Sequence, residues 1–179
     1  MDQEMDRDFL VDSIRTTAKD VFGTMLMLEA VAGEPTVPTE VPAATDGVVG
    51  IIGIAGTWVG TGIILCQAPL ACTAASAMMM AEYASVNEEV LDAVGEITNM
   101  IIGNLKTTLE ERYGEMGISV PTVVYGRNFA TRTVSRGEWI VVPFQVGDQR
   151  MEVQVNLSPN RAAESKVRPG FTRTEAVIA

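Results

Sequence analysis

The sequence predicts an α/β (α+β) domain of two layers, in which one mostly antiparallel sheet carries two long helices on one face. Residues 8–29 and 86–113 place apolar side chains at the three- and four-residue spacing of amphipathic helices. Each helical pattern is followed by apolar or alternating segments of strand length. The chain thus contains a pseudo-repeat of a helix followed by strands, and both halves are expected to join one sheet.

The first half begins with the helix of residues 8–29 and continues into a loop. Residues 33–47 contain three prolines and two glycines, which is typical of a loop. Two buried strands are predicted next, at about 47–55 and 57–67, with a turn near Gly56. The apolar face of the helix is formed by Leu10, Ile14, Ala18, Val21, Met25 and Leu28.

A membrane-spanning helix is the alternative for the apolar residues 48–66, which are numerous enough to cross a bilayer. Residues 47–66 contain six glycines and many β-branched residues. No lysine or arginine flanks them as an anchor at the membrane surface. The sequence therefore favours two strands, and no membrane span is expected.

The second long helix has recognisable ends. A helix of small residues and methionines is predicted before it at 69–81, with Pro69 near its start. Ser85 and Glu88 have the spacing of a capping box, which predicts the start of the long helix. Gly114 follows the last periodic residue and is predicted as its C-terminal cap.

The strands of the second half are predicted from three short segments. Residues 118–125 are extended, and Pro121 within them indicates an edge position or an irregularity. Residues 139–146 and 150–157 alternate on either side of a turn at 147–149, which predicts a hairpin.

The composition excludes several classes of function. The 179 residues are 47% hydrophobic and 20% charged, typical of a globular protein, and we expect one domain over 1–158 and a flexible polar tail over 159–179. The absence of histidine excludes Ser–His and Cys–His nucleophile pairs and histidine metal ligands. The net charge of −10 argues against nucleic acid as a partner. The acidic N-terminus lacks an apolar signal core, which predicts a cytoplasmic protein, and Cys66 and Cys72 are interpreted as buried thiols.

The second long helix carries a polar group opposite its apolar stripe. At roughly 100° per residue, Asp92, Glu96 and Asn99 fall in one narrow sector, with Gly103 beside them. A carboxamide accepts and donates hydrogen bonds at once and can orient a water molecule, whereas a carboxylate can bind a lysine. These residues alone leave an exposed face without function as an alternative. Gly103 allows either a partner's backbone or another part of the chain to approach closely.

The residues from Asp92 to Lys106, together with those from Pro121 to Gly126, resemble the signature of the CheC–CheX–FliY chemotaxis phosphatases. Between Asn99 and Pro121 lie 21 residues, one fewer than in the family pattern. The resemblance extends from about residue 8 to about residue 158. A family member with two sites would also carry Glu and Asn on the first long helix. At those positions this chain has Thr16 and Lys19, preceded by Asp12, so it looks like the single-site CheX proteins.

This resemblance implies a phosphatase that acts on the aspartyl phosphate of a CheY-type response regulator. Glu96 is then expected to dock on the regulator's lysine, and Asn99 to orient the attacking water. The resemblance assigns Mg²⁺ to the regulator and no metal or cofactor to this chain, and it suggests a homodimer. The alternative is a non-catalytic module that binds a receiver or the flagellar switch. Supporting or docking roles are expected for Asp92, Gly95, Met100, Gly103 and Pro121.

Overall fold

The computed structural model describes residues 4–38, 46–127 and 137–161, and these form an α+β structure with one antiparallel sheet. The strand order is β1-β6-β7-β3-β2-β4, and β5 also pairs with β2, beside β4. The predicted fold class is confirmed. The elements are α1 (Arg7–Asp20), a π-helical turn (Val21–Met25), β1 (Val31–Ala32), β2 (Asp46–Gly56), β3 (Trp58–Cys66), α2 (Ala68–Met79), α3 (Glu88–Tyr113), β4 (Met116–Ile118), β5 (Thr122–Arg127), β6 (Trp139–Val146) and β7 (Gln149–Pro159).

The main core lies between the sheet and the helices. Ile14 of α1 and Ile101 of α3 are fully buried in it, together with Val142 and Val153 of the sheet. The other face of the sheet holds a smaller buried cluster, Val49, Ile63 and Trp139. β3 and residues 47–52 of β2 are therefore buried or half-buried on both faces, which explains their nearly continuous hydrophobicity.

The first helix is shorter than predicted. Regular α1 ends at Asp20, the π-helical turn ends at Met25, and Met27 has a left-handed φ of 55°. The predicted end at residue 29 is therefore wrong, because a helix cannot continue through a left-handed residue. The predicted loop is interrupted at Thr36, which bridges Val141, and its residues 39–45 lie outside the described part of the chain.

The apolar segment at 46–66 is the predicted pair of strands. β2 and β3 form a hairpin whose turn is at Gly56 and Thr57, and Val48 pairs with Cys66 at its open end. None of the helices within the described ranges is both long and apolar enough to cross a membrane. The prediction of strands over a membrane helix is confirmed.

The ends of α3 confirm one predicted cap and correct the other. The Asn87 side chain accepts a hydrogen bond of 3.0 Å from the Val90 N–H, so Asn87 is the N-cap. Glu88 is then the first helical residue, and the predicted capping box of Ser85 and Glu88 is wrong because Ser85 lies two residues too early. Gly114, with φ 87°, caps the C-terminus as predicted.

The predicted extended segment at 118–125 is an edge that is broken in the middle. β4 and β5 pair with different parts of β2, and Pro121 lies in the gap between them. Ser119 keeps this gap attached, because its N–H donates to the Gly53 carbonyl at 2.9 Å and its Oγ accepts from the Gly53 N–H at 3.0 Å. Both interpretations of Pro121, edge and irregularity, are confirmed.

The remaining predictions for the second half agree with the structure. α2 begins at Ala68 with a proline in its first turn and ends at Met79, two residues before the predicted end. β6 and β7 form the predicted hairpin, around a turn at Gly147 and Asp148. The domain boundary at residue 158 stays a prediction, and residues 162–179 of the predicted tail lie outside the described residues.

Candidate functional site

The candidate site lies on the side of α3 that faces away from the core. Asp92 and Glu96 are exposed, whereas Asn99 is half-buried. Within the described ranges, no hydrogen bond or ion pair engages the side chains of these three residues. The structure thus presents a carboxylate and a carboxamide one helical turn apart, both free to contact another molecule.

The backbone beneath these side chains is fixed by burial. Ile97 and Thr98 lie between Glu96 and Asn99 in the sequence, and both are buried against the sheet side of α3. The Thr98 hydroxyl, which is inaccessible to solvent, donates to the Val94 carbonyl at 2.7 Å. Glu96 and Asn99 are consequently held on a packed helix rather than on a loop.

The two glycines of α3 face the edge of the sheet. Gly95 is buried, and an added Cβ there would lie 3.3 Å from Val123 Cγ2 and 3.7 Å from Pro121 Cγ. Gly95 and Pro121 therefore lie next to each other between α3 and the edge of the sheet, and their supporting role stays a prediction. Gly103 is half-buried, and a Cβ there would meet Ile118 Cδ1 at an ordinary 3.7 Å. Gly103 was expected to allow close approach by either a partner's backbone or another part of the chain. The contact with Ile118 is of the second kind, but it is not unusually close.

The surface around Glu96 is acidic and partly apolar. Glu88, Glu89, Asp92 and Glu96 are all exposed on the N-terminal half of α3. Met100 is half-buried and packs against the core, so it lies at the margin of this surface. A partner that contacts this surface would have to bring basic groups to it. Among the described residues, no three acidic or cysteine side chains are grouped closely enough to hold a metal ion.

The corresponding region of α1 has a different chemistry. Asp12 and Arg15 form an ion pair of 3.5 Å, and Thr16 and Lys19 are exposed. An exposed lysine cannot orient a water as a carboxamide does, since it has no acceptor. The residues on this helix support the interpretation that the chain has a single site.

The two cysteines take no part in the site. Both thiols are buried and unpaired, and burial raises the pKa of Cys66 to about 12. Since the thiolate is the reactive form, a raised pKa makes a thiol inert. The interpretation of both cysteines as buried thiols is confirmed.

A salt bridge near the C-terminal end of α3 leads to a prediction about pH. Lys106 Nζ lies 2.7 Å from a Glu110 carboxylate oxygen, and the Met116 N–H donates to the same carboxylate at 2.8 Å. Lys106 is the larger of these two influences, and both hold the pKa of Glu110 below its ordinary value of 4.5. A carboxyl whose pKa is lowered by folding stabilises the folded state at any pH above its pKa in the unfolded chain. This contribution is lost as the pH falls through the pKa of the carboxyl in the folded protein.

We therefore expect Glu110→Gln to weaken the pH dependence of stability below about pH 4.5. The measurement is the urea concentration at the midpoint of unfolding, taken at several pH values from about pH 3 to about pH 7. Glu111→Gln is the matched control, because Glu111 is exposed on the same turn. Equal pH dependence in the two variants would contradict the assignment.

Chemically, the arrangement can hold and orient but has little to react with on its own. The described part of the site offers neither a nucleophile paired with a base nor a metal cluster. What it can provide is a fixed donor and acceptor, Asn99, beside a fixed negative charge, Glu96. The sequence identified both residues. The sequence did not indicate that Gly50 and Gly62 lie directly under Thr98 and Ile102 of α3, because their only signal was a count of glycines in β2 and β3.

Comparison with known proteins identifies the family of this chain. Residues 48–145 match the family model of the chemotaxis phosphatase CheX. The CheY-P phosphatase CheX of Thermotoga maritima is 34% identical over 125 residues, which is 69% of this chain and 77% of that protein. The crystal structure of the chemotaxis protein CheX from Vibrio vulnificus has a TM-score of 0.76 at 29% identity, covering 83% of this chain and 99% of that one.

A further similar structure is the CheX-CheY-BeF3-Mg²⁺ complex from Borrelia burgdorferi. It has a TM-score of 0.71 at 27% identity and covers 83% of this chain and 97% of that chain. The resemblance stated from the residues around Glu96 and Asn99 is confirmed. The family model matches more than half of this chain, and the match to the Thermotoga maritima protein covers most of that relative. This chain therefore belongs to the CheX family of chemotaxis phosphatases.

Proposed function

We propose that this protein removes the phosphoryl group from the aspartyl phosphate of a CheY-type response regulator. The observation that carries the proposal is the pair of unengaged side chains, Glu96 and Asn99, on the outward face of α3 in a chain of this family. The pair includes neither a nucleophile nor a metal ion. In the proposed reaction a water molecule is the nucleophile, and the receiver domain brings the metal ion. Two relatives support this choice of partner, one named a CheY-P phosphatase and one solved with CheY.

In the proposed reaction Asn99 orients the attacking water. The water oxygen attacks phosphorus, the bond between phosphorus and the aspartyl oxygen breaks, and inorganic phosphate leaves while the aspartate regains its carboxylate. Such a transfer requires mainly positioning of the attacking and leaving oxygens. The Asn99 carboxamide can accept from the water and donate to a phosphoryl oxygen at the same time.

Glu96 supplies the attachment to the receiver. Its exposed carboxylate can form a charge-assisted hydrogen bond with a lysine of the partner, which fixes the register of Asn99. Mg²⁺ is assigned to the receiver, where it would neutralise charge on the phosphoryl group. Asp92, one turn before Glu96, adds negative charge to the same docking surface.

The test is the rate of phosphate release from a phosphorylated CheY-type receiver with and without the protein. The proposal expects turnover, with catalytic amounts of the protein emptying an excess of phosphorylated receiver. Stoichiometric binding without faster release would favour the alternative, a module that binds a receiver or the flagellar switch. Several receivers should be compared, and the one that is dephosphorylated fastest is the cognate partner.

We expect Glu96→Gln to raise KM for the phosphorylated receiver by about ten- to a hundredfold, because hydrogen bonds to charged groups contribute about 1.5–3 kcal/mol. Steady-state kinetics at several salt concentrations measure this, and the KM of the wild type should rise with salt. Glu111→Gln, which alters an exposed carboxylate near the other end of α3, is the matched control. A KM for Glu96→Gln equal to that of the control would contradict the docking role.

Assembly and compartment stay predictions. A homodimer is expected, and sedimentation equilibrium over a range of protein concentrations would measure it. A cytoplasmic location is expected from the proposed partner, a response regulator. Fractionation of cells that produce the native protein would test the location.

A further inference from the structure

The contact between α3 and the sheet is unusually close directly behind the candidate site. Gly50 lies in β2 under Thr98, and a Cβ built on Gly50 would be 2.0 Å from Thr98 Oγ1 and 2.9 Å from Thr98 Cβ. Gly62 of β3 lies under Ile102, where an added Cβ would be 2.7 Å from Cδ1 and 3.0 Å from Cγ1. The helix therefore lies on two positions of the sheet that have no side chain.

Glycine is required at positions 50 and 62 by the lack of room for a side chain, not by the backbone conformation. Neither Gly50 nor Gly62 has the positive φ that favours glycine, so an alanine would not strain the backbone. Rotation of the Thr98 side chain would move Oγ1 but not Cβ, which is fixed to the helix. An alanine at Gly50 thus requires α3 to move outward by about 0.5 Å, from 2.9 Å to the 3.4 Å at which ordinary contact begins.

The contact is coupled to the site through the chain itself. Thr98 immediately precedes Asn99 and has no exposed surface, so it cannot be displaced into solvent. A shift of Thr98 must therefore carry Asn99 with it. Ile102 is one turn further along the helix and is equally inaccessible. The two contacts constrain the depth of α3 on the sheet over the turn that contains Asn99.

We propose that Gly50 and Gly62 are positioning residues, which let α3 lie close enough to the sheet to set the height of Asn99 for the reaction. This inference rests on the proposed function and adds residues that never touch the receiver. Since a displacement of about 1 Å can cost a hundredfold in rate, a shift of half that size is expected to lower kcat by about tenfold.

The experiment compares Gly50→Ala with Gly53→Ala. Gly53 lies on the same strand, but its added Cβ would point to the other face, with Ser119 Oγ at an ordinary 3.6 Å. Steady-state dephosphorylation is measured well below the unfolding temperature of each variant. Gly50→Ala should lower kcat about tenfold with KM changed less than about twofold, and Gly53→Ala should change neither. A purely structural role would lower the unfolding temperature and leave kcat unchanged.

Further variants make the test independent of whether Gly50→Ala alone folds. Thr98→Gly removes the three atoms nearest to the Cβ that Gly50→Ala adds, so the double variant should regain most of the lost kcat. If Gly50→Ala does not fold, Gly62→Ala decides, because the Ile102 side chain can give way in part and α3 then has to move less. The kcat should fall about threefold, and it should recover with Ile102→Val, which removes the Cδ1 atom nearest to the new Cβ.

The outcomes separate this inference from the proposed function. A folded Gly50→Ala with the kcat of the wild type, or no recovery in the double variant, overturns the positioning role while leaving the phosphatase in place. If Gly50→Ala does not fold, an unchanged kcat for Gly62→Ala overturns it. A wild type that does not accelerate phosphate release from any receiver tested overturns both.

Discussion

Asn99→Ala is expected to lower kcat for receiver dephosphorylation by at least about a hundredfold. Removal of one positioned hydrogen-bonding group that acts in the transition state typically costs 10²–10³ in kcat. Asn99 is half-buried on α3, and its side chain forms no hydrogen bond with the described residues, so its loss should not disturb the fold. A phosphate-release assay at saturating phosphorylated receiver measures the change.

The control for this prediction is Asn104→Ala. Asn104 is an exposed asparagine on the same helix, and its removal costs the same side chain without affecting the site. Binding of each variant to a receiver activated with BeF3 separates docking from catalysis, and Asn99→Ala should still bind. A kcat for Asn99→Ala equal to that of Asn104→Ala would show that Asn99 does not orient the water.

Leu105→Ala is expected to reduce the free energy of unfolding by about 2–5 kcal/mol. Leu105 has no exposed surface and lies in the core between α3 and the sheet, so the truncation leaves a cavity that the packed neighbours cannot fill. Thermal unfolding should occur at a lower temperature, by about 2–4 °C for each kcal/mol.

Thr107→Ala serves as the matched control for stability. Thr107 is exposed two residues further along α3, and its hydroxyl only donates back to the Gly103 carbonyl at 3.0 Å. Its replacement should change the free energy of unfolding by less than about 0.5 kcal/mol. Equal unfolding temperatures for the two variants would contradict the central place of α3 in the core.

The sequence predicted much of the fold because its elements differ in period. α3 was predicted to its last residue, since Gly114 follows a long helical pattern and takes a positive φ. The ends of β2 and β3 were predicted to within one residue, because glycines and β-branched residues disfavour a helix there. The pair Glu96 and Asn99 was found from spacing alone, and its meaning came from the family resemblance.

The errors have physical causes that a single sequence does not display. The end of α1 depends on a π-helical turn and a left-handed Met27, a residue type without preference for that conformation. Asn87 caps α3 one residue before Glu88, where a capping-box spacing suggested Ser85. The role proposed for Gly50 depends on which helix residue lies above it, and such a contact between distant parts of the chain is set only by tertiary packing.

The burial of α3 also determines when the cost of ordering the site is met. Both ends of the helix are capped, and its inner face is packed against the sheet, α1 and α2. The backbone entropy of Glu96 and Asn99 is therefore lost when the protein folds, not when it meets a receiver. A partner that binds this helix should find it already rigid, so association should proceed without a slow conformational step and with a rate governed by encounter.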